Sequence, residues 1–217
     1  MANTAAHLFA LALLIRETCL VFVVAIVATR AIGGRRREAV QLAITALAPL
    51  VVWRIYLGFV LYPGSGVRAF WFDPEAVGRP FGGIARLWTD LARGTYMPAF
   101  TDLAGAAMCY SVVLIGALAL AGTAVVTYPN AAAIAAFVYA LIAISFTYGN
   151  VWIHVGNAQR ASYELFVIMA IVYVTTPADA RWLRLAFGAF WISTAVYAWF
   201  LAYDADSIRR AMLPAIS

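Results

Sequence analysis

The chain has 217 residues, of which 65% are hydrophobic and 12% are charged, and its mean hydropathy is +0.88. Soluble domains contain roughly 45–50% apolar residues, and a chain of this length cannot hide so large an excess in one core. The composition therefore argues against a soluble globular protein and predicts an integral membrane protein whose excess apolar surface faces lipid.

The sequence contains no lysine, so arginine supplies all of its positive charge, and the formal net charge is +5. Nucleic-acid binding requires basic residues that cluster on a soluble face with interleaved aromatic residues. Here the arginines lie in predicted loops and at the ends of apolar segments, where they orient membrane spans and contact lipid phosphates. The pattern predicts membrane lipids as partners and no nucleic acid.

The first predicted elements are two apolar runs, residues 5–15 and 19–32, separated by the polar residues 16–18. The first run is shorter than the ~20 residues that cross a bilayer. Either two helices meet at a polar turn here, or one long helix carries polar residues inside it. The densest basic cluster of the chain follows at residues 35–37, and the positive-inside tendency places it in the cytoplasm.

The next span, residues 39–61, runs outward and contains Pro49, which is expected to kink it. Residues 62–101 form the longest polar stretch and are rich in Gly and Pro, so an outer loop is predicted. Within this loop, residues 82–93 (GGIARLWTDLAR) place apolar and charged side chains on different faces of a helix. This amphipathic helix either lies on the membrane surface or packs on the protein's own loops.

Four more apolar segments complete the chain, at residues 103–126, 131–148, 162–176 and 185–203, with a cytoplasmic loop at 177–184 and a tail outside. In lipid only helices and closed barrels satisfy every backbone group, and the alternating short strands of a barrel are absent. We therefore predict an all-α polytopic transmembrane bundle. It has about six membrane helices plus an amphipathic surface helix in the outer loop, in one domain over residues 1–217.

The motif GNAQRASYE at residues 156–164 is unusually polar for its position between two apolar runs. Arg160 and Glu164 are four residues apart and share one face of a helix. Charged groups at membrane depth are costly, and they mark either a function or a structural pair. One interpretation is that Arg160 and Glu164 merely satisfy each other.

The other interpretation is a binding site at the outer face, where the predicted topology also brings Arg16 and Glu17. The planar guanidinium of Arg donates two parallel hydrogen bonds to a phosphate. Arg16 and Arg160 would bind an anionic group, and Glu17 and Glu164 would hold the guanidinium groups or select a hydroxylated ligand. With Asn157, these residues form the predicted substrate site.

Other chemistry is not favoured by the remaining polar residues. His7 and His154 have no second ligand at helical spacing, so no metal site is expected. Asp73 and Glu75 flank a proline, a pattern typical of a solvated turn, although acid–base chemistry or a divalent cation stays open. No Gly-rich phosphate loop is evident, and no cofactor is expected.

Residues 11–57 resemble a segment of the polytopic membrane glycosyltransferases of the C-type superfamily (GT-C). The likeness lies in Arg16-Glu17, the basic cluster at residues 35–37, and the motif Pro49-x-x-x-Trp53-x-x-Tyr56. Two later segments are also similar: residues 79–94 resemble a post-helix loop, and residues 157–171 resemble a helix start where an Arg faces the active-site side.

This resemblance implies transfer of a sugar from a polyprenyl-phosphate donor to a lipid or glycan acceptor, on the outer face of the bacterial inner membrane. The chain departs from the family at the first outer loop, where no match to the family's catalytic carboxylate exists. It thus resembles the C-terminal half of such an enzyme, from a partial or split protein, and its catalytic residues stay unassigned.

A non-catalytic helical accessory subunit, bound to a partner membrane subunit in a larger complex, fits the small size and the unmatched catalytic loop. A transporter is not favoured, because its intramembrane charges would lie near the bilayer midplane and its broken helices would occur in paired halves.

Overall fold

The computed structural model describes residues 7, 10, 19–61, 77–95, 104–152 and 155–212, with side chains except at 150, 151, 155–157, 160 and 198–212. These ranges are mostly helical, and they contain one isolated antiparallel bridge, Val77 to Phe146, but no β-strand. Their α-helices are α1 Leu20–Ile32, α2 Arg36–Tyr56, α3 Gly82–Ala92, α4 Ala104–Thr127, α5 Ala131–Ile144, α6 Val155–Thr175 and α7 Arg181–Met212. Single π-helical turns lie at Leu57–Leu61 and Tyr148–Trp152. The predicted all-α class is confirmed.

Helices α1 and α2 form a hairpin around a glycine turn. Gly34 adopts the left-handed conformation with φ +79°, which glycine reaches without the steric cost that a Cβ atom brings. The turn is closed by a hydrogen bond of 2.9 Å from the Arg35 amide to the Arg30 carbonyl oxygen. The two helices then pack through Val23 and Ala46, which are both fully buried.

Helix α2 lies at the edge of the described structure. It continues through Pro49 into the π-helical turn, so that Arg36–Leu61 is one apolar segment of 26 residues. Its buried residues are Ala39, Leu42 and Ala46 alone. Other large apolar side chains of this helix, such as Ile44, Val52 and Ile55, are exposed and face away from the rest of the described protein.

The centre of the fold is built from alanines on α4, α5 and α6. Fully buried alanines recur along α4 and α5 and allow the two backbones to approach closely; they include Ala117, Ala121, Ala136 and Ala140. The Asn130 side chain caps α5 by accepting a 2.9 Å hydrogen bond from the Ala133 amide, which satisfies one of the free amides at the helix start.

The far end of α5 is covered by the chain that leads into α3. The amides of Gly78 and Phe81 donate to the carbonyl oxygens of Ser145 and Ile144, at 2.7 and 2.9 Å. The last carbonyls of a helix have no partner inside it, so this segment supplies partners that water would otherwise provide. Helix α5 can therefore end inside the protein after only 14 residues.

Helix α3 packs its apolar face against the protein itself. Ile84 and Leu87 are 5% and 0% exposed, whereas Trp88 on the neighbouring face is 42% exposed. The Trp88 indole donates a 2.9 Å hydrogen bond to Ser111 Oγ of α4. Of the two arrangements considered for this amphipathic segment, the described contacts favour packing on the protein's own residues.

Helices α6 and α7 are joined by a tight turn at residues 176–180, and α7 then packs along α4. Helix α7 begins at Arg181, four residues before the predicted span. It also continues to Met212, through residues that the sequence pattern assigned to a tail. The guanidinium of Arg184 lies 5.5 Å from the centre of the Tyr173 ring, a cation–π contact between the two helices.

Two described helices are long and apolar enough to cross a membrane, Arg36–Leu61 and Ala104–Thr127, with mean hydropathies of 1.9 and 2.2. Other apolar helices, such as Leu20–Ile32 and Ala131–Ile144, are shorter. At 1.5 Å per residue, α5 is only about 21 Å long, less than the ~30 Å hydrocarbon layer. Six spans are therefore not confirmed by the described residues.

Candidate functional site

The predicted site residues fall in three groups. Arg16 and Glu17 lie outside the described residues. Asn157 and Arg160 lie in the first two turns of α6, where the backbone is described but these two side chains are not. Glu164 lies one turn further along α6 with a described, half-buried side chain. Three of the five residues are therefore on one helix, and the pairing of Arg160 with Glu164 stays a prediction.

Glu164 is held by a tyrosine of the neighbouring helix. The Tyr139 hydroxyl lies 2.8 Å from Glu164 Oε2 and 3.1 Å from the Ala161 carbonyl oxygen, so it has two acceptors for one hydrogen. Tyr139 is 2% exposed, and a hydrogen bond from a neutral hydroxyl to a carboxylate is among the stronger kinds. Helix α5 therefore fixes the direction of the Glu164 carboxylate.

Tyr139 was missed by sequence reasoning, although a signal was present. Among the residues of α5 (AAAIAAFVYALIAI), Tyr139 alone carries a polar atom in its side chain. A single polar group in such a helix requires a partner on a neighbouring element. That argument predicts a contact for Tyr139 but does not say which helix supplies it.

A second polar contact lies on the buried face of α6. Tyr110 of α4 donates to Ser162 Oγ, and Ser162 in turn donates to the Ala158 carbonyl oxygen at 2.5 Å. The Tyr110 ring lies among other aromatic rings, with centroid separations of 4.9 Å to Tyr197 and 6.1 Å to Trp152. This cluster ties α4, α6, α7 and the π-helical turn together beneath the polar end of α6.

Two buried donors near this cluster have no hydrogen-bond partner in the described part of the chain. They are Gln159 Nε2 on α6 and Trp152 Nε1 in the π-helical turn Tyr148–Trp152. Most buried polar atoms in proteins are hydrogen-bonded, so each exception requires an explanation such as a bound water or ligand. The polar end of α6 therefore combines a fixed carboxylate with a free amide donor.

An apolar groove between α4 and α7 leads to the same cluster. Two adjoining cavities of about 390 and 360 Å³ share Val112, Val113 and Ser193 in their linings. One extends toward Trp182 at the start of α7, and the other reaches Tyr197, whose ring packs on Tyr110. Hydrocarbon fits such a lining, because the groove offers few polar groups.

The polar end of α6 offers two hydrogen-bonding groups, the Glu164 carboxylate and the Gln159 amide. No group of three or more metal-binding side chains occurs among the described residues. Cys19, the N-cap residue of α1, and Cys109 in α4 are not joined by a disulfide. A carboxylate fixed by Tyr139 can accept hydrogen bonds from hydroxyl groups, and the Gln159 amide can donate to an oxygen.

Comparison of the chain with protein-family models, with curated proteins and with solved structures finds no match in any of the three.

Proposed function

We propose that this chain is a multi-pass protein of the bacterial inner membrane. The support is the extent of exposed apolar surface: large apolar residues such as Val52, Val112, Val167 and Ile192 are exposed on α2, α4, α6 and α7, while buried alanines line the contact between α4 and α5. On α6, for example, Tyr163, Val167, Ile171 and Val174 form one outward stripe. A soluble monomer rarely exposes such contiguous apolar surface, whereas helices in lipid expose it and pack through small residues.

The orientation follows from the arginines. Residues 35–37 lie at the turn between α1 and α2, and Arg181 and Arg184 begin α7 after the turn at residues 176–180. The positive-inside tendency places both turns in the cytoplasm. Helix α3 and the start of α6 then lie toward the outer face.

For function, we propose that the chain is related to the C-type glycosyltransferases and binds a polyprenyl-phosphate-linked sugar at the outer end of α6. The observation that carries this proposal is the Glu164 carboxylate, fixed by Tyr139 within a helix whose start contains Asn157, Gln159 and Arg160. Arg160 would bind the lipid phosphate, and Glu164 would accept from sugar hydroxyl groups. The apolar groove between α4 and α7 supplies room for hydrocarbon near the same cluster.

Replacing Arg160 with alanine tests this assignment. We expect polyprenyl-phosphate binding to weaken by about 10- to 100-fold, because a charge-assisted hydrogen bond contributes roughly 1.5–3 kcal/mol. Binding is measured by titrating polyprenyl phosphate into the purified protein in nanodiscs and following a labelled lipid by fluorescence anisotropy. The apparent melting temperature, recorded on the same samples, should change little.

Arg184→Ala is the matched control, because it removes the same side chain from the opposite end of the α6–α7 pair. It is expected to leave lipid affinity unchanged while removing the cation–π contact with Tyr173. Equal affinities for the Arg160→Ala variant and the parent protein would rule out Arg160 as the phosphate ligand. Equal losses in both variants would show only general attraction of the lipid to positive charge.

A second function, a non-catalytic subunit of a larger membrane complex, is favoured by one specific observation. The second half of α2 and the π-helical turn that follows it carry many exposed apolar side chains, among them Val52, Ile55 and Phe59. A photo-crosslinking residue placed at Phe59 in living cells should then link to one protein in stoichiometric amount. Crosslinks to lipid alone would count against a partner on this helix.

A further inference from the structure

The groove between α4 and α7 runs along most of both helices. Its first cavity is lined by Met108 of α4 and Tyr197 of α7, and its second cavity ends at Thr123 and Trp182. On each helix the groove covers fifteen residue steps, which correspond to about 22 Å at 1.5 Å per residue. One leaflet of a bilayer contributes only about 15 Å, half of the ~30 Å hydrocarbon layer. The groove is therefore longer than one leaflet is deep.

The groove also crosses the middle of a helix that is long and apolar enough to span a membrane. Helix α4 runs from Ala104 to Thr127, and in the proposed orientation it begins at the outer face. Gly116 lies half-way along it and lines the second cavity, which continues toward the inner face as far as Thr123. A chain that enters from the outer leaflet and ends at the midplane would leave this second part empty.

The hydroxyl groups of Ser193 and Thr123, which lie in the lining, are satisfied within the protein. Ser193 donates to the Ala189 carbonyl oxygen at 2.9 Å, and Thr123 donates to that of Ala119 at 2.8 Å. Neither hydrogen therefore requires a polar ligand. A polar group placed in such a lining would lose its hydrogen bonds to water, whereas hydrocarbon loses none.

The groove has the width of a single chain. Its inner half is lined by small residues, Gly116 and Ala119 on α4 and Ala186 and Ala189 on α7. Cavities of about 390 and 360 Å³, spread over ~22 Å, have a cross-section on the order of 35 Å², whereas a helix 10–12 Å across covers on the order of 80 Å² or more. One hydrocarbon chain fits this space, and a helix of another subunit does not.

The outer end of the groove meets the candidate site on α6. The Tyr197 ring packs on Tyr110 with a centroid separation of 4.9 Å, and Tyr110 donates to Ser162 Oγ. Ser162 follows Arg160 by two residues on α6. A lipid whose phosphate lies at the start of α6 therefore has a path for its chain past Tyr197 into the groove.

From these observations we infer that the groove between α4 and α7 binds one isoprenoid chain longer than a leaflet, and that its part beyond Gly116 selects for chain length. The inference rests on the proposed function for the phosphate, and it adds which chain the lipid carries and where that chain lies. An acyl chain from the outer leaflet ends near the midplane. The groove thus favours long polyprenyl lipids over phospholipids and over short isoprenoids.

Gly116→Leu tests the inference, because a side chain at this position enters open space, with no described atom within 4 Å of its Cβ position. The affinities of undecaprenyl phosphate and farnesyl phosphate are measured in nanodiscs by displacement of the labelled lipid. We expect undecaprenyl phosphate to bind about three- to tenfold more weakly, a modest loss because the chain exchanges protein contacts for lipid contacts. Farnesyl phosphate, whose short chain stays in the outer half, should keep its affinity.

Gly188→Leu is the matched control, since it makes the same change on α7 at a position that also has no described atom within 4 Å. Gly188 lies two residues after Ala186, about 200° around the helix, so it faces away from the groove. Both affinities should stay at the parent values. Equal weakening by the two leucines, or an unchanged affinity of undecaprenyl phosphate in Gly116→Leu, would overturn the inference. The same loss for both lipids in Gly116→Leu would overturn the selection for length.

A second measurement does not depend on phosphate binding at α6. A long polyprenol without phosphate, with a photoreactive diazirine at the far end of its chain, is irradiated in nanodiscs with the protein, and mass spectrometry identifies the labelled peptides. Labels should fall near Ala119 and Ala186, and Gly116→Leu should reduce them.

This labelling also separates the inference from the proposed function. If neither phosphate lipid binds the parent protein while the polyprenol still labels the groove, the proposed function fails and the groove assignment stands. Equal labelling by phosphatidylglycerol that carries the diazirine at an acyl end would indicate a groove open to any lipid and would overturn the inference, as would labels spread over all exposed helices.

Discussion

Replacing Gly83 with alanine is expected to lower the free energy of unfolding by about 1–3 kcal/mol, the range typical of an overpacked interior. A Cβ atom at this position would lie 2.1 Å from the Phe146 carbonyl oxygen and 2.7 Å from Trp152 Cδ1. Neither neighbour can move freely, because one is backbone and the other is a fully buried ring. The expected consequence is that α3 separates from the π-helical turn Tyr148–Trp152.

Gly82→Ala is the matched control, since it adds the same methyl group one residue earlier in the same helix. The nearest atom to its Cβ position is Arg79 Cβ at 3.8 Å, an ordinary van der Waals distance. Alanine also favours helix over glycine by up to about 1 kcal/mol, so this variant should be as stable as the parent or slightly more stable.

The measurement is the apparent melting temperature of both variants and the parent protein in the same detergent at one scan rate, followed by tryptophan fluorescence. Detergent-solubilised proteins commonly unfold irreversibly, so only values at one scan rate are comparable. A Gly83→Ala protein that melts with the Gly82→Ala protein would show that α3 does not pack on the turn Tyr148–Trp152 as described.

The contrast between the two glycines illustrates what a sequence alone can establish. The amphipathic pattern of residues 82–93 predicted a helix, and α3 spans Gly82–Ala92. This prediction was possible because the spacing of apolar residues is a local property that can be read directly from the sequence. The close approach of Gly83 to Phe146 joins residues more than sixty positions apart. No periodicity encodes such a contact, so Gly82 and Gly83 are indistinguishable until the chain is folded.

Element ends were the less predictable part of the fold for the same reason. Residues 131–148 were predicted as one span, but α5 ends at Ile144, where the amides of Gly78 and Phe81 bond its last carbonyls. A helix can end early only where another segment satisfies those groups. Conversely, α7 continues to Met212 through residues whose acidic and basic side chains indicated a tail.

The sequence predicted which helix carries the candidate site, but it did not predict which residues of other helices contact that site. The polar cluster in GNAQRASYE directs attention to α6 because charges between apolar runs are costly. Tyr139 and Tyr110, which hold Glu164 and Ser162, come from α5 and α4 and carry no motif. Their positions depend on how three helices pack against one another. In alanine-rich helices this packing is determined by the fit of the surfaces, and no residue pattern in the sequence reveals it.

Replacing Tyr139 with phenylalanine is expected to cost about 1–3 kcal/mol of stability, the usual loss when a buried hydrogen bond to a charged group is removed. The ring stays and keeps its packing, so the loss isolates the hydroxyl that donates to Glu164 Oε2 and the Ala161 carbonyl oxygen. Tyr128→Phe is the control, because the Tyr128 hydroxyl makes no hydrogen bond among the described residues. Its effect should stay within about 0.5 kcal/mol.

A double-mutant cycle with Glu164→Gln separates the pair from its surroundings. The glutamine oxygen still accepts from Tyr139 but carries no charge, so Glu164→Gln alone should be milder than Tyr139→Phe. Residues in direct contact couple by about 0.5–3 kcal/mol in such cycles. Strictly additive effects would mean that the charge of Glu164 does not strengthen the Tyr139 hydrogen bond, which would count against a carboxylate held in one direction for the proposed sugar recognition.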